Sequence, residues 1–284
     1  MLNIHGQLMD LSEPKVMGII NLTPDSFYAS SRAQSEAGII GRAQQMLDEG
    51  ADILDIGAYS SRPGASHVSA EEEMSRLRHG LSIISKSLPE AILSIDTFRA
   101  DVARMCVEEY GAAIINDISA GELDPLMFRT IASLHVPYVI MHGGKEMIAG
   151  TTPESPTPTG AAADLLETLT LYFSERINRL HDLGVADIIV DPGFGFAKTL
   201  DDNYLLMAHL EELHELGKPL LVGISRKSMI YRLLGTTPAE ALNGTTVLNT
   251  LALQKGASIL RVHDVRAARE AVTIYNTVNL KISH

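Results

Sequence analysis

A strand-length apolar run followed by a helix-length amphipathic segment, repeated eight times, leaves few ways to fold a chain. The runs are Val16–Ile20, Ile53–Leu54, Ile92–Ile95, Ala113–Ile115, Tyr138–Met141, Ile188–Val190, Leu220–Val222 and Ile259–Leu260. Between them apolar residues fall three and four apart, over Gly41–Leu47, Glu72–Ile84, Val102–Val107, Ala163–Leu180, Tyr204–Leu213 and Ala241–Leu253. A glycine often closes the helical pattern, as at Gly50, Gly111, Gly184, Gly217 and Gly256, the residue favoured by a left-handed C-cap. Such units predict an α/β chain folded as a single (β/α)8 TIM barrel over residues 16–284. A doubly wound open sheet is the alternative, weakened because no G-x-G-x-x-G follows the first run. Residues 1–15 are expected to form a hairpin-like extension capping the bottom of the barrel.

With 284 residues, 45% of them hydrophobic, the chain can bury a large core. Its net charge of −12 argues against nucleic acid or an anionic membrane surface as the main partner. An anionic substrate then needs locally placed cations. The single cysteine, Cys106, excludes an internal disulfide and lies in a helical pattern, where a buried inert thiol is expected. The start, MLNIHGQLMDLSEP, lacks the basic and apolar regions of a signal peptide, and no apolar run is of membrane-spanning length. A cytoplasmic location is the expectation.

The strand ends carry the chemistry. In order they are Asn21, Asp55, Asp96, Asn116, His142, Asp191, the Ser225-Arg226-Lys227 group, and Arg261 with His263. One polar residue after a strand is commonplace and usually caps a helix; Asp55 and Asp96 could each be that alone. A mixture of acids, amides and cations at every strand end is hard to explain by capping, because those ends converge where barrel active sites sit. Asp96, Asn116 and Asp191 suit a flat, nitrogen-rich ring, with Asp191 placed to accept paired N–H bonds from an amino-pyrimidinone edge. Lys227 can bond a ring carbonyl and neutralise the acids. Arg261 and His263, with Asn21 and Asp25, read as a diphosphate and Mg²⁺ corner, since Mg²⁺ needs only one or two protein oxygens. The connections Leu22–Arg32, Gly57–Ser69 and Gly143–Gly160 exceed tight-turn length and read as lids or as surface loops.

In MGIINLTPDSF (Met17–Phe27), DIGAYSSRPGA (Asp55–Ala65), SIDTFR (Ser94–Arg99), INDIS (Ile115–Ser119), DPGFGFAKT (Asp191–Thr199), GISRKS (Gly223–Ser228) and RVHDV (Arg261–Val265), the chain resembles the dihydropteroate synthase family. The likeness runs from Val16 to Asn276, and the order and spacing of the motifs make it specific. It implies a folate-pathway transferase that joins p-aminobenzoate to 6-hydroxymethyl-7,8-dihydropterin diphosphate and releases pyrophosphate. It also implies the family's Mg²⁺, a homodimer and a sulfonamide target. On matching positions it implies a pterin pocket of Asp96, Asn116, Met141, Asp191 and Lys227. Asn21, Ser61, Arg261 and His263 would take the diphosphate, and Asn21 and Asp25 the metal. Phe27, Ser61, Arg62, Pro63 and Ser228 would lie near aminobenzoate. Asp96, Asp191, Lys227 and Asn21 would be the catalytic set, acting on a methylene cation formed as the C–O bond breaks ahead of attack.

The chain departs from the family's usual pattern in places. Ala58-Tyr59 stands where the family usually has Gly-Glu, Ser61 replaces a frequent Thr, and GGKEMIAGTTP follows Met141-His142 in place of a Met-x-Gly-x-Pro segment. These changes bear on the aminobenzoate entrance and leave the pterin and diphosphate sets complete. The alternatives are a pterin-binding paralogue without catalysis and a pterin-dependent methyltransferase domain. Neither needs the Asn21-x-Thr-x-Asp25 and Arg261-Val262-His263 pair. A sugar-phosphate barrel would place too many acids around an anion.

Overall fold

A computed structural model describes residues 1–22, 32–59, 68–143 and 162–282. A two-stranded antiparallel hairpin comes first, β1 (Leu2–Ile4) and β2 (Gln7–Met9). His5 and Gly6 both have positive φ at its turn (51° and 82°), the twist that a two-residue hairpin loop favours. Eight parallel strands follow: β3 (Lys15–Asn21), β4 (Ile53–Gly57), β5 (Leu93–Asp96), β6 (Ile114–Asp117), β7 (Tyr138–Met141), β8 (Ile188–Asp191), β9 (Leu221–Val222) and β10 (Ile259–Val262). They pair in chain order from β3 to β8, while β10 pairs with both β3 and β9. A parallel bridge between Val190 and Leu220, with the Val190 amide donating to Pro219 O at 2.9 Å, brings β8 to β9. The sheet therefore meets itself as a barrel, and the doubly wound alternative, whose strand order reverses part-way, does not apply.

The helices that alternate with the strands are α1 (Arg32–Asp48), α2 (Ala70–Ser87), α3 (Ala100–Tyr110), α4 (Met127–Leu134), α5 (Ala162–Asp182), α6 (Leu200–Ala208), α7 (Ser228–Leu234), α8 (Leu242–Gln254) and α9 (Val265–Ile282). Local chemistry starts several of them. Ser69 caps α2 by accepting from the Glu72 amide, and Thr199 with Asp202 forms a reciprocal capping box at α6. The five glycines expected at helix ends all have positive φ. The expected helix Tyr204–Leu213 is in fact α6 followed by a 3-10 segment, Leu210–Leu216. α4 and α7 are short, eight and seven residues long, with so few turns that they barely establish a repeat. Cys106 is buried in α3, where burial pushes its thiol well up and keeps it inert.

The period-two alternation of the strands sorts the core into two layers. Leu54, Ile56, Leu93, Ile95, Ile115, Tyr138, Ile140, Ile188, Val190 and Leu260 point outward into one buried cluster with the helices. Met17, Ile53, Ile114, Val139, Ile189, Leu221 and Ile259 form a second cluster inside the barrel. Leu2 and Ile4 of the hairpin belong to that inner cluster, so the hairpin covers the N-terminal ends of the strands. Burying such side chains contributes about 1.5–3 kcal/mol each. Two residues further along, the inward positions turn polar or small on most of these strands, and there the site begins.

Candidate active site

Adding two to each inner apolar position names the next layer. From Ile53 it gives Asp55, from Ile114 Asn116, from Val139 Met141, from Ile189 Asp191, from Leu221 Gly223 and from Ile259 Arg261. Strand register aligns these groups across the barrel: Asp55 pairs with Ser94, Gly57 with Asp96, Asp96 with Asn116, and Met141 with Asp191. Glycine at 57 eases this packing, since a Cβ there would lie 3.3 Å from Asp96 Cβ and press on it.

Asp55 is not a helix cap. It is fully buried inside β4, its Oδ1 accepting from Ser94 Oγ at 2.6 Å and its Oδ2 from Asn116 Nδ2 at 3.1 Å. The same Oδ2 accepts from Arg261 Nε at 2.6 Å, while Arg261 Nη2 donates to Asp96 Oδ2 at 2.7 Å. One guanidinium thus bridges two carboxylates. Burial works to lower the Arg261 pKa, but Asp55 and Asp96 overcome it and raise it further, so the charge is permanent. Burial lifts Asp96 to about 7, against the attraction of Arg261 and with the help of the Asp55 charge. Asp96 caps nothing either, because α3 begins at Arg99 without a side-chain cap.

Across the barrel, Asp191 ends β8. Its Oδ1 accepts from the Gly193 amide at 2.8 Å, which is turn chemistry, while no described residue donates to its Oδ2. The residue therefore holds its own turn and keeps an oxygen for a ligand. Burial raises its pKa, opposed mainly by Lys227. Lys227 Nζ donates to Phe194 O at 2.5 Å and lies 4.2 Å from the centre of the Phe196 ring. Burial lowers this ammonium to about 8, with Asp191 resisting. Oppositely perturbed acids and bases facing one another are the mark of a reactive site.

The remaining predicted residues are placed as follows. Asn21 ends β3, half-buried, and makes no side-chain hydrogen bond to a described residue. His263 follows β10; its amide donates to Ser225 Oγ at 3.2 Å and its carbonyl accepts from Arg42 Nη2 at 2.9 Å. Ser228 opens α7 directly after Lys227. Met141 is buried with Phe98 and Ile118, and Tyr59, Leu123 and Phe196 pack against them as an apolar rim. Asp25, Phe27, Ser61, Arg62 and Pro63 lie outside the described residues, as do most of the three long connections. Sequence reasoning counted Asp55 in the polar ring without giving it a role, and assigned nothing to Lys198 within DPGFGFAK. Inward parity from Ile53 was the signal for the first; the second needs the fold. A separate cavity of about 530 Å³ sits at the hairpin end, but there Asp52 is already engaged by the Val16 amide and by Arg269.

A family model described as "Pterin binding enzyme" matches residues 17–263. The dihydropteroate synthase of Escherichia coli K12 is 39% identical over 272 residues, covering 95% of this chain and 93% of that protein. That of Bacillus subtilis is 42% identical over 253 residues, covering 88% and 84%. This chain belongs to the dihydropteroate synthase family of pterin-binding enzymes. Solved synthases of the family superpose closely. The Yersinia pestis enzyme in a sulfonamide drug complex has a TM-score of 0.87 at 37% identity, with 98% of each chain covered. The Xanthomonas albilineans enzyme in complex with 7,8-dihydropteroate has a TM-score of 0.82 at 34% identity, again over 98% of each chain.

Tyr59, singled out in the sequence, has surroundings that are visible here. Its ring meets Phe98 edge-on at 5.2 Å between centroids, and Arg99 lies over both rings, at 5.6 and 4.8 Å. Arg99 is in turn paired with the buried Glu73 and donates to Val68 O at 2.8 Å. The phenol thus forms part of a packed aromatic wall.

Proposed function

We infer that this chain condenses 6-hydroxymethyl-7,8-dihydropterin diphosphate with p-aminobenzoate, giving 7,8-dihydropteroate and pyrophosphate. The observation that carries this is the inner ring itself: Asp96, Asn116 and Asp191 opposite Lys227, with Arg261 between the acids. Asp191, its carboxylate oriented by the Gly193 amide, takes the 2-amino and N3 edge of the pterin. Lys227 takes the ring carbonyl, and Asn116, fixed by Asp55, takes the neighbouring edge. Met141 and Phe196 cover the ring faces. The dihydropterin delocalises the methylene cation left when the C–O bond to diphosphate breaks. Asp96 and Asp191 stabilise that positive charge from fixed positions, which costs no reorganisation during the reaction. The aniline nitrogen attacks the cation, and the resulting anilinium is acidic enough to release its proton to water.

Arg261 and His263 serve the departing pyrophosphate. Arg261 Nη1 donates to no described residue, which leaves it open to a phosphate oxygen. A Mg²⁺ ion, where bound, supplies further neutralisation of that leaving group. The donor chemistry fits: Asn21 offers a half-buried carboxamide oxygen with no described partner, and Asp25 would add a carboxylate. Among the described residues no group of three or more His, Cys, Asp and Glu gathers as for a protein-caged metal. Among the described residues no helix is long and apolar enough to cross a membrane.

Turnover with Mg²⁺, the dihydropterin diphosphate and p-aminobenzoate, each omitted in turn, tests the reading. Product requiring both organic substrates supports it; pterin binding without product turns the assignment to a non-catalytic paralogue. Tyr59→Ala is expected to change the KM for aminobenzoate by about twofold to tenfold, the worth of one aromatic contact, and to spare pterin binding. A shift in sulfonamide inhibition should accompany it, and an unchanged KM would remove Tyr59 from the entrance.

The assembly is a homodimer on this reading. Leu233 and Leu234 of α7, Val247 and Leu251 of α8, and Ile274 and Val278 of α9 are exposed on helices that pack in sequence. A self-complementary apolar face suits a twofold interface. Val247→Glu should raise the dimer dissociation constant about tenfold or more, by burying an unpaired charge. Light scattering across a concentration series would show it, and an unaltered mass would place the interface elsewhere.

A further inference from the structure

We propose that Lys198 is a positioning residue for the pterin pocket: its ammonium staples the turn after β8 to the end of β7 and thereby sets Asp191 and Lys227. The inference rests on the condensation reading above and deepens it.

Lys198 Nζ lies within hydrogen-bond distance of four acceptors. Three are carbonyl oxygens, Gly193 O at 3.1 Å, Phe196 O at 3.2 Å and His142 O at 3.4 Å. The fourth is His142 Nδ1 at 3.1 Å. Burial and the neighbouring Lys198 charge hold His142 at about 3, so its imidazole is neutral and can offer a lone pair at Nδ1. The two segments touch closely at this point. A Cβ on Gly193 would sit 2.0 Å from His142 O, and φ there is +74°, so only glycine brings the turn so near.

Each atom that Lys198 holds leads to a pocket group. Gly193 donates its amide to Asp191 Oδ1, Phe194 O accepts Lys227 Nζ, and the Phe196 ring lies against the same ammonium. His142 directly follows Met141. Lys198 itself bonds only to backbone carbonyls and the imidazole, so it acts through these neighbours. A lysine suits the place better than an arginine, because three converging carbonyls need a compact donor with three protons rather than a planar fork.

The charged groups facing Lys198 are Asp191 from β8, Lys227 from the turn before α7 and Asp202 from α6, with His142 from the end of β7. Burial lowers Lys198 to about 7, whereas Lys227 sits near 8. Loss of a proton from Lys198 removes one donor, so the staple weakens as pH rises through 7.

The test compares the full-length wild type with Lys198→Met and Lys198→Gln. The readouts are 6-hydroxymethylpterin binding by fluorescence titration, steady-state kinetics and thermal midpoints. Both variants should raise the pterin Kd and the KM of the pterin substrate about tenfold to a hundredfold, the cost of unmet buried hydrogen bonds. The KM for aminobenzoate should stay within about twofold, since its site is not on this turn. In the wild type the pterin Kd should rise as pH climbs through the range near 7 to 8, and the variants should show a smaller rise. Wild-type turnover with unchanged pterin Kd and pH profile in the variants overturns the positioning role. So does an equal loss for both substrates in step with a lower thermal midpoint. Should a variant fail to fold, a wild-type pterin Kd that does not rise with pH overturns it too. A wild type that makes no product overturns the condensation reading, a separate result.

Discussion

Asp96→Asn is expected to lower kcat by about a hundredfold to a thousandfold, the range seen when one preorganised electrostatic partner is removed. The affinity for 6-hydroxymethylpterin should fall less than tenfold, because Asp191, Asn116 and Lys227 still hold the ring. The asymmetry follows from what Asp96 does. Its carboxylate faces Arg261 in the resting chain and gains a second positive neighbour only when the methylene cation forms. The substitution keeps the shape and removes the charge, so it tests charge alone. The pH profile gives an independent check. Burial holds Asp96 at about 7, so kcat at saturating substrate in the wild type should climb as pH rises through 7 and the carboxylate forms. That limb should vanish in Asp96→Asn. Equal losses in turnover and pterin affinity would refute the cation-stabilising role and make Asp96 a simple binding group.

Arg261→Met should destabilise the fold by about 3–5 kcal/mol, the usual cost of removing one member of a buried ion network. The guanidinium is the shared partner of Asp55, which is completely buried, and of Asp96. Its loss leaves the acids facing each other. The direction with pH is fixed by linkage. Folded Asp96 titrates at about 7, above the ordinary carboxylate range near 4. Between those values the folded chain keeps a proton that the unfolded chain has lost, so stability falls as pH rises through that window. Without Arg261 the Asp96 pKa moves higher still, and the fall extends to higher pH. Urea unfolding should therefore show a larger deficit at pH 8 than at pH 5. A deficit equal at both would mean that the carboxylates do not depend on the guanidinium. Pyrophosphate release should suffer as well, visible as a lower kcat.

Parity explains much of what the sequence disclosed about the site. Asp96, Asn116 and Asp191 could be picked out because each lies at a strand end, where an apolar run gives way to a polar or turn residue, whereas Met141 came only from the family resemblance. Asp55 was harder. It follows an apolar pair as a cap would, and only the continuation of β4 to Gly57 shows that it lies one layer deeper, shared by Ser94, Asn116 and Arg261. Arg261 read as a phosphate ligand from its neighbours in RVHDV, and its bridge between two carboxylates appears only once β10 closes against β3. Lys198 sat in plain view in DPGFGFAK, but its partners include His142, 56 residues earlier.

The sequence alone determined the barrel, because a period of two in eight runs and a period near 3.6 between them are local properties of the chain. It also determined which residue types would ring the open end, since strand ends converge whatever the details of packing. Tertiary structure decided the pairing within that ring. Which acid meets which cation, which oxygen of Asp191 stays open, and which lysine holds the turn depend on register and on the approach of the segments to one another. Those distances decide burial, and burial decides charge: it brings Asp96 up to about 7 and Lys227 down to about 8, values that no linear reading of the residues contains.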